Sequence, residues 1–128
     1  MAIFHIVGPR RVLVVDDDPD IRELLVSVLT DDGYEATSAK NGRDALAVLD
    51  RWPADVVVLD LMMPVMDGWT FAERMHEKWS IPIVVLSAAG DLARQAGRVG
   101  AADVVSKPFD IEMLLPRIAR VAGGTGLA

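Results

Sequence analysis

The sequence predicts an α/β fold, a (βα)5 doubly wound arrangement in which a five-stranded parallel sheet carries helices on both faces. Strand-like and helix-like segments alternate five times along 128 residues, a length that suits one domain. Three strand-like segments consist almost entirely of Val, Ile and Leu, which is typical of strands buried on both faces. The predicted strands are residues 11–16, 35–39, 55–60, 83–86 and 104–105.

The segments between these strands have the apolar spacing of amphipathic helices and recognisable ends. Asp18, followed by a proline, is a good N-cap for the first helix, and Gly33 is a good residue to end it. Pro116, within the fifth helix, should kink that helix or delay its regular start. The helices are expected to begin after Asp18, at Asn41–Gly42, after the loop 61–68, near Asp91 and after Asp110.

Composition excludes several classes of function. The net charge of −6 argues against nonspecific nucleic-acid binding, although it permits a cation or a basic partner surface. The absence of cysteine excludes disulfides, thiolate chemistry and cysteine-ligated metals. No apolar run is long enough to span a membrane, and the first ten residues lack the basic start of a signal peptide. We therefore expect a cytoplasmic protein with no membrane segment.

The chain divides into three parts. Residues 1–10 read as a loose leader, residues 11–122 as the folded domain, and residues 123–128 as a Gly-rich tail that would suit a linker. Two interpretations stay open: a stand-alone domain, or one cut from a longer protein.

Four of the five predicted strands end in a residue capable of chemistry. In open parallel sheets, ligands bind beyond the carboxyl ends of the strands, where the strand order reverses. One strand that ends in Asp means little, but four such ends at one sheet edge predict a functional site. These residues are Asp16 and Asp17 after strand one, Asp60 after strand three, Ser87 after strand four and Lys107 after strand five.

Three carboxylates, a hydroxyl and an ammonium group suit a metal ion and a phosphoryl group. Adjacent carboxylates repel each other, and a hard cation such as Mg²⁺, which prefers oxygen ligands, compensates them. Asp16 and Asp17 would hold Mg²⁺ with Asp60 as a third ligand, and Asp60 is also the best nucleophile for an aspartyl-phosphate. Lys107 would pair with Asp60 at rest and with the phosphoryl group afterwards, while Ser87 would donate a hydrogen bond to it. A cis Lys107–Pro108 bond would aim the lysine inward, although trans is commoner.

These motifs together make the chain resemble a receiver domain of a two-component response regulator, over residues 11–122. The matching segments occur in the family's order and near its spacing. They are Val14–Pro19, Leu59–Gly68, Pro82–Ala88, Gly100–Asp103 and Lys107–Phe109.

The resemblance implies a flavodoxin-like strand order 2-1-3-4-5 and a signalling domain rather than an enzyme, beyond self-catalysed phosphoryl transfer and autodephosphorylation. It implies a sensor histidine kinase or phosphotransfer protein as donor and a downstream protein or output domain as recipient. It also implies a phosphorylation-dependent homodimer through helix four, strand five and helix five. The implied roles are Asp60 as phosphoacceptor, Asp16, Asp17 and the backbone carbonyl of Met62 as further Mg²⁺ ligands, Ser87 as the switch hydroxyl and Lys107 as the family's lysine.

Two positions depart from the family pattern. The family usually has an aromatic residue three positions before the lysine, where this chain has Val104, so the aromatic half of the switch is absent. Two positions after the phosphoacceptor, some members carry a polar residue that helps water attack, but this chain has the apolar Met62. We therefore expect slow autodephosphorylation.

Three alternatives remain at this stage. A degenerate receiver would act as a phosphorylation-independent binding module, although the intact acidic site argues against it. A haloacid-dehalogenase-like phosphatase needs a second Asp two residues after the nucleophile, where Met62 stands. A flavin-binding electron carrier needs a neutral phosphate-cradling loop after strand one, and residues 16–18 would repel that phosphate.

Overall fold

The computed structural model describes residues 10–88 and 92–123. Most of the expected leader, the tail beyond Gly123 and the expected start of the fourth helix at Asp91 lie outside these ranges. Within these ranges, no helix has the length and apolar character needed to cross a membrane.

Five strands and five helices alternate along the chain, as the sequence predicts. The strands are β1 (Arg11–Val15), β2 (Glu35–Ala39), β3 (Val56–Asp60), β4 (Ile83–Ser87) and β5 (Asp103–Ser106). The helices are α1 (Pro19–Asp31), α2 (Gly42–Arg51), α3 (Gly68–His76), α4 (Leu92–Val99) and α5 (Ile111–Val121).

All five strands lie parallel in one sheet, in the order β2-β1-β3-β4-β5. This confirms the doubly wound fold and the strand order 2-1-3-4-5. The order reverses between β1 and β3, which are direct neighbours at the centre with Val15 opposite Leu59. The residues that follow these two strands therefore lie side by side at the carboxyl edge.

The helices cover both faces because side chains along each strand alternate between them. On one face, Leu13 and Val15 pack with buried residues of α2, α3 and α4. On the other face, Val12 and Val14 pack with buried residues of α1 and α5. The central strands β3 and β4 are buried along their whole length, which explains their nearly uniform apolar sequences.

Side-chain caps fix the predicted helix starts. The carboxylate of Asp18 accepts a hydrogen bond from the N–H of Asp20. The side-chain oxygen of Asn41 accepts one from the N–H of Asp44. The start of α5 is not delayed: this helix begins directly after its cap Asp110 and contains Pro116 in its interior. The prediction of a delayed start was wrong, since the cap fixes the first turn ahead of the proline.

Candidate functional site

Three carboxylates converge at the carboxyl edge, where β1 and β3 lie side by side. One oxygen from each of Asp16, Asp17 and Asp60 lies within 4.8 Å of the others. Asp16 is fully buried, Asp60 is 5% exposed, and Asp17 faces solvent. The predicted convergence of these residues is therefore present, with a buried floor formed by Asp16 and Asp60 and one exposed carboxylate above it.

The two buried carboxylates are oriented by the same kind of local hydrogen bond. The backbone N–H of Asp18 donates to Oδ1 of Asp16 at 2.9 Å, and the N–H of Met62 donates to Oδ1 of Asp60 at 3.1 Å. Each carboxylate thus accepts a hydrogen bond from the backbone N–H two residues later. This is the Asx-turn pattern that Asp side chains favour.

Lys107, just beyond β5, lies between the second oxygens of these carboxylates. Its Nζ lies 2.8 Å from Oδ2 of Asp16 and 3.5 Å from Oδ2 of Asp60. The Lys107–Pro108 peptide bond is cis, the conformation that the sequence suggested would aim the side chain inward. We expected a resting pair with Asp60; the structure adds a shorter contact with Asp16.

Ser87 is the last residue of β4 and is fully buried. Its neighbour Leu86 lies opposite Asp60 in the sheet, which places Ser87 one residue further along on the strand beside the phosphoacceptor candidate. The carbonyl of Ser87 accepts a hydrogen bond from the N–H of Lys107 at 3.0 Å. Ser87 therefore also anchors the backbone that carries the lysine.

The charges of the site change the proton affinities of two groups. Burial, reinforced by the charges of Asp16 and Asp17, raises the pKa of Asp60 from 3.8 to about 6. The Met62 N–H and Lys107 act in the opposite direction but do not cancel this effect. Burial alone would lower the pKa of Lys107, but its hydrogen bond to Asp16 and the charges of Asp16 and Asp60 raise it.

The donor set fits a hard divalent cation. It offers three carboxylates and a single balancing ammonium group, so the site carries excess negative charge. It contains no sulfur or imidazole ligand, and carboxylate oxygens suit Mg²⁺. The chemistry of these residues thus matches the metal expected from the sequence.

The loop beyond β3 is held against the strand by a close backbone approach. The N–H of Gly68 donates to the carbonyl of Leu61 at 3.0 Å. A Cβ at position 68 would lie 2.7 Å from Cα of Leu61 and 2.9 Å from the carbonyl oxygen of Asp60. Glycine is therefore required for the first residue of α3 to meet the end of β3. In the same loop, the Met62 side chain is 62% exposed.

The structure adds one residue that sequence reasoning missed. Arg22 donates from Nη1 to the backbone carbonyl of Asp16 at 2.8 Å and so supports the end of β1. Its one sequence signal is a basic residue near the start of a helix, where the helix dipole disfavours positive charge. Val104, where the family usually has an aromatic residue, is half-buried and packs against the core on the face of α2, α3 and α4.

Comparison with known proteins identifies the family. Residues 12–119 match the family model described as response regulator receiver domain, and the chain belongs to this family of signalling domains of two-component systems. It is 41% identical over 114 residues to a probable transcriptional regulator, ycf27, of Pyropia yezoensis, covering 88% of this chain and 47% of the relative. It is 39% identical over 110 residues to response regulator RR06 of Streptococcus pneumoniae, covering 84% and 51%. The chain spans about half the length of these relatives.

Solved structures agree with this assignment. Chemotaxis protein CheY4 of Vibrio cholerae superposes with a TM-score of 0.81 at 36% identity, covering 89% of this chain and 99% of that one. Response regulator TrrA of Thermotoga maritima, in complex with Mg²⁺-BeF, superposes with a TM-score of 0.78 at 34% identity, covering 88% and 98%. These matches do not favour the phosphatase, electron-carrier or degenerate-receiver alternatives.

Proposed function

We propose that this chain accepts a phosphoryl group on Asp60, with Mg²⁺ held by Asp16, Asp17, Asp60 and the backbone carbonyl of Met62. The observation that carries the proposal is the cluster itself: three carboxylates within 4.8 Å of one another, with Lys107 between the two buried ones. A purely structural cluster would not need two buried carboxylates beside a third, exposed one, since burying a carboxylate costs free energy.

The transfer is an in-line displacement at phosphorus. An oxygen of the ionised Asp60 carboxylate forms a bond to phosphorus as the bond from phosphorus to the donor breaks. The electron pair of the broken bond leaves with the donor, which is an imidazole nitrogen when the donor is a phosphohistidine. Bound at Asp16, Asp17 and Asp60, Mg²⁺ would offset the negative charge of these carboxylates and of the incoming phosphoryl oxygens.

Lys107 and Ser87 would receive the transferred group. Lys107 sits closer to Asp16 than to Asp60, so Asp60 is not the principal partner of the resting ammonium group. After transfer, Lys107 pairs with one phosphoryl oxygen and the Ser87 hydroxyl donates to another. Because Ser87 is buried and is the last residue of β4, this contact would act on the end of β4.

The partners follow from the same chemistry. The donor is the phosphohistidine of a sensor histidine kinase or of a phosphotransfer protein. The recipient is a downstream protein or an output domain, and the relatives named transcriptional regulators are about twice as long as the match. A homodimer through α4, β5 and α5 is the expected response to phosphorylation. The cytoplasmic location expected from the sequence stays a prediction.

Intact-mass spectrometry tests this function. The chain is incubated with acetyl phosphate and Mg²⁺, in parallel with Asp60→Asn, with Asp50→Asn as an exposed carboxylate control, and with EDTA. We expect wild type and Asp50→Asn to gain one phosphoryl group, and Asp60→Asn and the EDTA sample to gain none. If wild type gains none, the chain is a phosphorylation-independent binding module.

A further inference from the structure

A second charged recess lies beside the edge strand β2, away from the strand ends that carry Asp60 and Lys107. It is a cavity of about 400 Å³ between α1, the carboxyl end of β2 and α2. Its polar lining comes from Arg22, Ser38, Lys40, Asp44 and Arg51. The rest of the lining is apolar and contains no aromatic side chain.

The three cations of this cavity have no carboxylate partner. Among the described residues, neither Arg22, Lys40 nor Arg51 forms an ion pair, whereas other basic side chains do, such as Lys78 with Asp50 at 2.7 Å. Three positive charges against one carboxylate leave the lining with an excess of two positive charges, in a chain of net charge −6. Unpaired like charges facing one recess repel each other, and an anion between them would relieve that repulsion.

Two of the cations are already held in place. Arg22 Nη1 donates to the carbonyl of Asp16 at 2.8 Å, and Arg51 Nη1 donates to the carbonyl of Ala47 at 3.1 Å. A guanidinium group carries five N–H donors, so each arginine keeps others for a ligand. Because both side chains are anchored, binding would cost less conformational entropy than it costs free surface arginines.

We propose that this cavity binds a small, multiply charged anion of the phosphate class, as a free phosphate or as the phosphate of a small ester. Guanidinium groups, an ammonium group and the half-buried hydroxyl of Ser38 are donors that phosphate oxygens accept. The absence of an aromatic side chain from the lining gives no platform for a nucleotide base. The proposal does not rest on phosphoryl transfer to Asp60, although Arg22 touches both sites through its hydrogen bond to the carbonyl of Asp16.

Amide chemical shifts measured by NMR, in metal-free buffer at constant ionic strength, test the proposal. Pyrophosphate should shift the amides of Ser38, Lys40 and Asp44 saturably. The double variant Arg22→Gln/Arg51→Gln should bind about tenfold more weakly, which corresponds to about 1.4 kcal/mol. Lys40→Gln, which removes an exposed charge that forms no ion pair among the described residues, should weaken binding without loss of stability.

The control is Arg74→Gln, which removes an unpaired exposed arginine on α3, outside this cavity. It should leave the affinity unchanged within about twofold. An equal loss in Arg74→Gln would show that the anion responds only to net charge, and would overturn the site. Amide shifts that stay linear with pyrophosphate concentration would also overturn the site.

Two further titrations distinguish the source of the anion. Inorganic phosphate and glycerol phosphate are compared under the same conditions. Tighter binding of glycerol phosphate assigns the cavity to phosphate esters, and tighter binding of inorganic phosphate assigns it to the free ion. If neither phosphate compound nor pyrophosphate binds but a glutamate-rich peptide does, the small-anion proposal is wrong.

Discussion

Nζ of Lys107 lies 2.8 Å from Oδ2 of Asp16, 0.7 Å closer than the 3.5 Å that separate it from Oδ2 of Asp60. The resting lysine therefore compensates Asp16, a proposed metal ligand, more strongly than Asp60, the proposed phosphoacceptor. Asp60 keeps a proton affinity set mainly by burial and by its acidic neighbours. At neutral pH, above its pKa of about 6, Asp60 is therefore mostly ionised and only weakly compensated by the lysine.

A double-mutant cycle measures this unequal pairing. The free energy of unfolding is determined in EDTA for Lys107→Met, Asp16→Asn, Asp60→Asn and the two double variants. We expect the coupling of Lys107 with Asp16 to exceed its coupling with Asp60, by about 1 kcal/mol, because the shorter contact is a hydrogen-bonded and buried ion pair. Equal couplings, or a larger one with Asp60, would contradict the resting geometry.

The raised pKa of Asp60 predicts a pH dependence of stability in the absence of metal. Between the ordinary value of 3.8 and the folded value of about 6, the folded state binds more protons than the unfolded state. The Asp60 contribution therefore makes the protein less stable as the pH rises from about 4 to about 6, and stays unfavourable above that. Asp60→Asn removes this contribution, so at pH 8 it should be more stable than wild type, by about 1 to 2 kcal/mol once screening at the mouth of the site is allowed for.

Urea titrations at pH 4 and pH 8 check this dependence. The advantage of Asp60→Asn should be largest at pH 8 in EDTA and should shrink at pH 4 and in saturating Mg²⁺, since a proton or a cation then compensates the wild-type charge. An Asp60→Asn variant no more stable than wild type at pH 8 in EDTA would show that the buried carboxylate carries no cost.

Two glycine-to-alanine substitutions should change stability in opposite directions. Gly68→Ala forces a methyl group to within 2.7 Å of backbone at the end of β3, and should destabilise the protein by about 2 kcal/mol or more. Gly97→Ala, inside α4, meets nothing within 4 Å and should stabilise it by about 0.5 to 1 kcal/mol. Chemical denaturation of both variants gives the comparison. A neutral Gly68→Ala would mean that the loop after β3 shifts freely.

The exposed Met62 predicts a long-lived phosphorylated state. Its apolar side chain offers no hydrogen bond to orient water near Asp60, so the phosphorylated chain should persist for minutes or longer at neutral pH. Met62→Asn introduces a polar group there and should raise the hydrolysis rate, at least about threefold. Met113→Asn, a matched change at a 56% exposed methionine on α5, should leave the rate unchanged. A half-life of seconds for the phosphorylated wild-type chain would refute this role of Met62.

The residue pattern was sufficient to predict the parallel sheet and the convergence of the site residues, for a physical reason, whereas the strand order was implied by the family resemblance. Apolar runs that end in Asp16, Asp60, Ser87 and Lys107 must lie parallel and buried, and parallel strands bring their carboxyl ends to one edge. Differences of an ångström or less between contact distances depend on the conformation of the loops and could not be predicted this way. The closer contact of Lys107 with Asp16 is one such detail, because it depends on how the chain turns after β5.

The basic cavity is a second feature that no sequence pattern indicates. Arg22 lies on α1, Lys40 in the loop after β2 and Arg51 at the end of α2, and they share no motif. Only the packing of α1 and α2 around the end of β2 brings them together. The predicted delay in the start of α5 was wrong for a related reason, since the Asp110 cap secures that start independently of Pro116.

The central claim is that Asp60, and neither Asp16 nor Asp17, receives the phosphoryl group. The most direct measurement is borohydride reduction of the chain after treatment with acetyl phosphate and Mg²⁺, followed by peptide mapping. Borohydride reduces an acyl phosphate to the alcohol, so a phosphorylated aspartate is read out as homoserine at its own position. We expect homoserine at position 60 alone, and none when EDTA is present. Homoserine at position 16 or 17, with position 60 unchanged, would contradict the account.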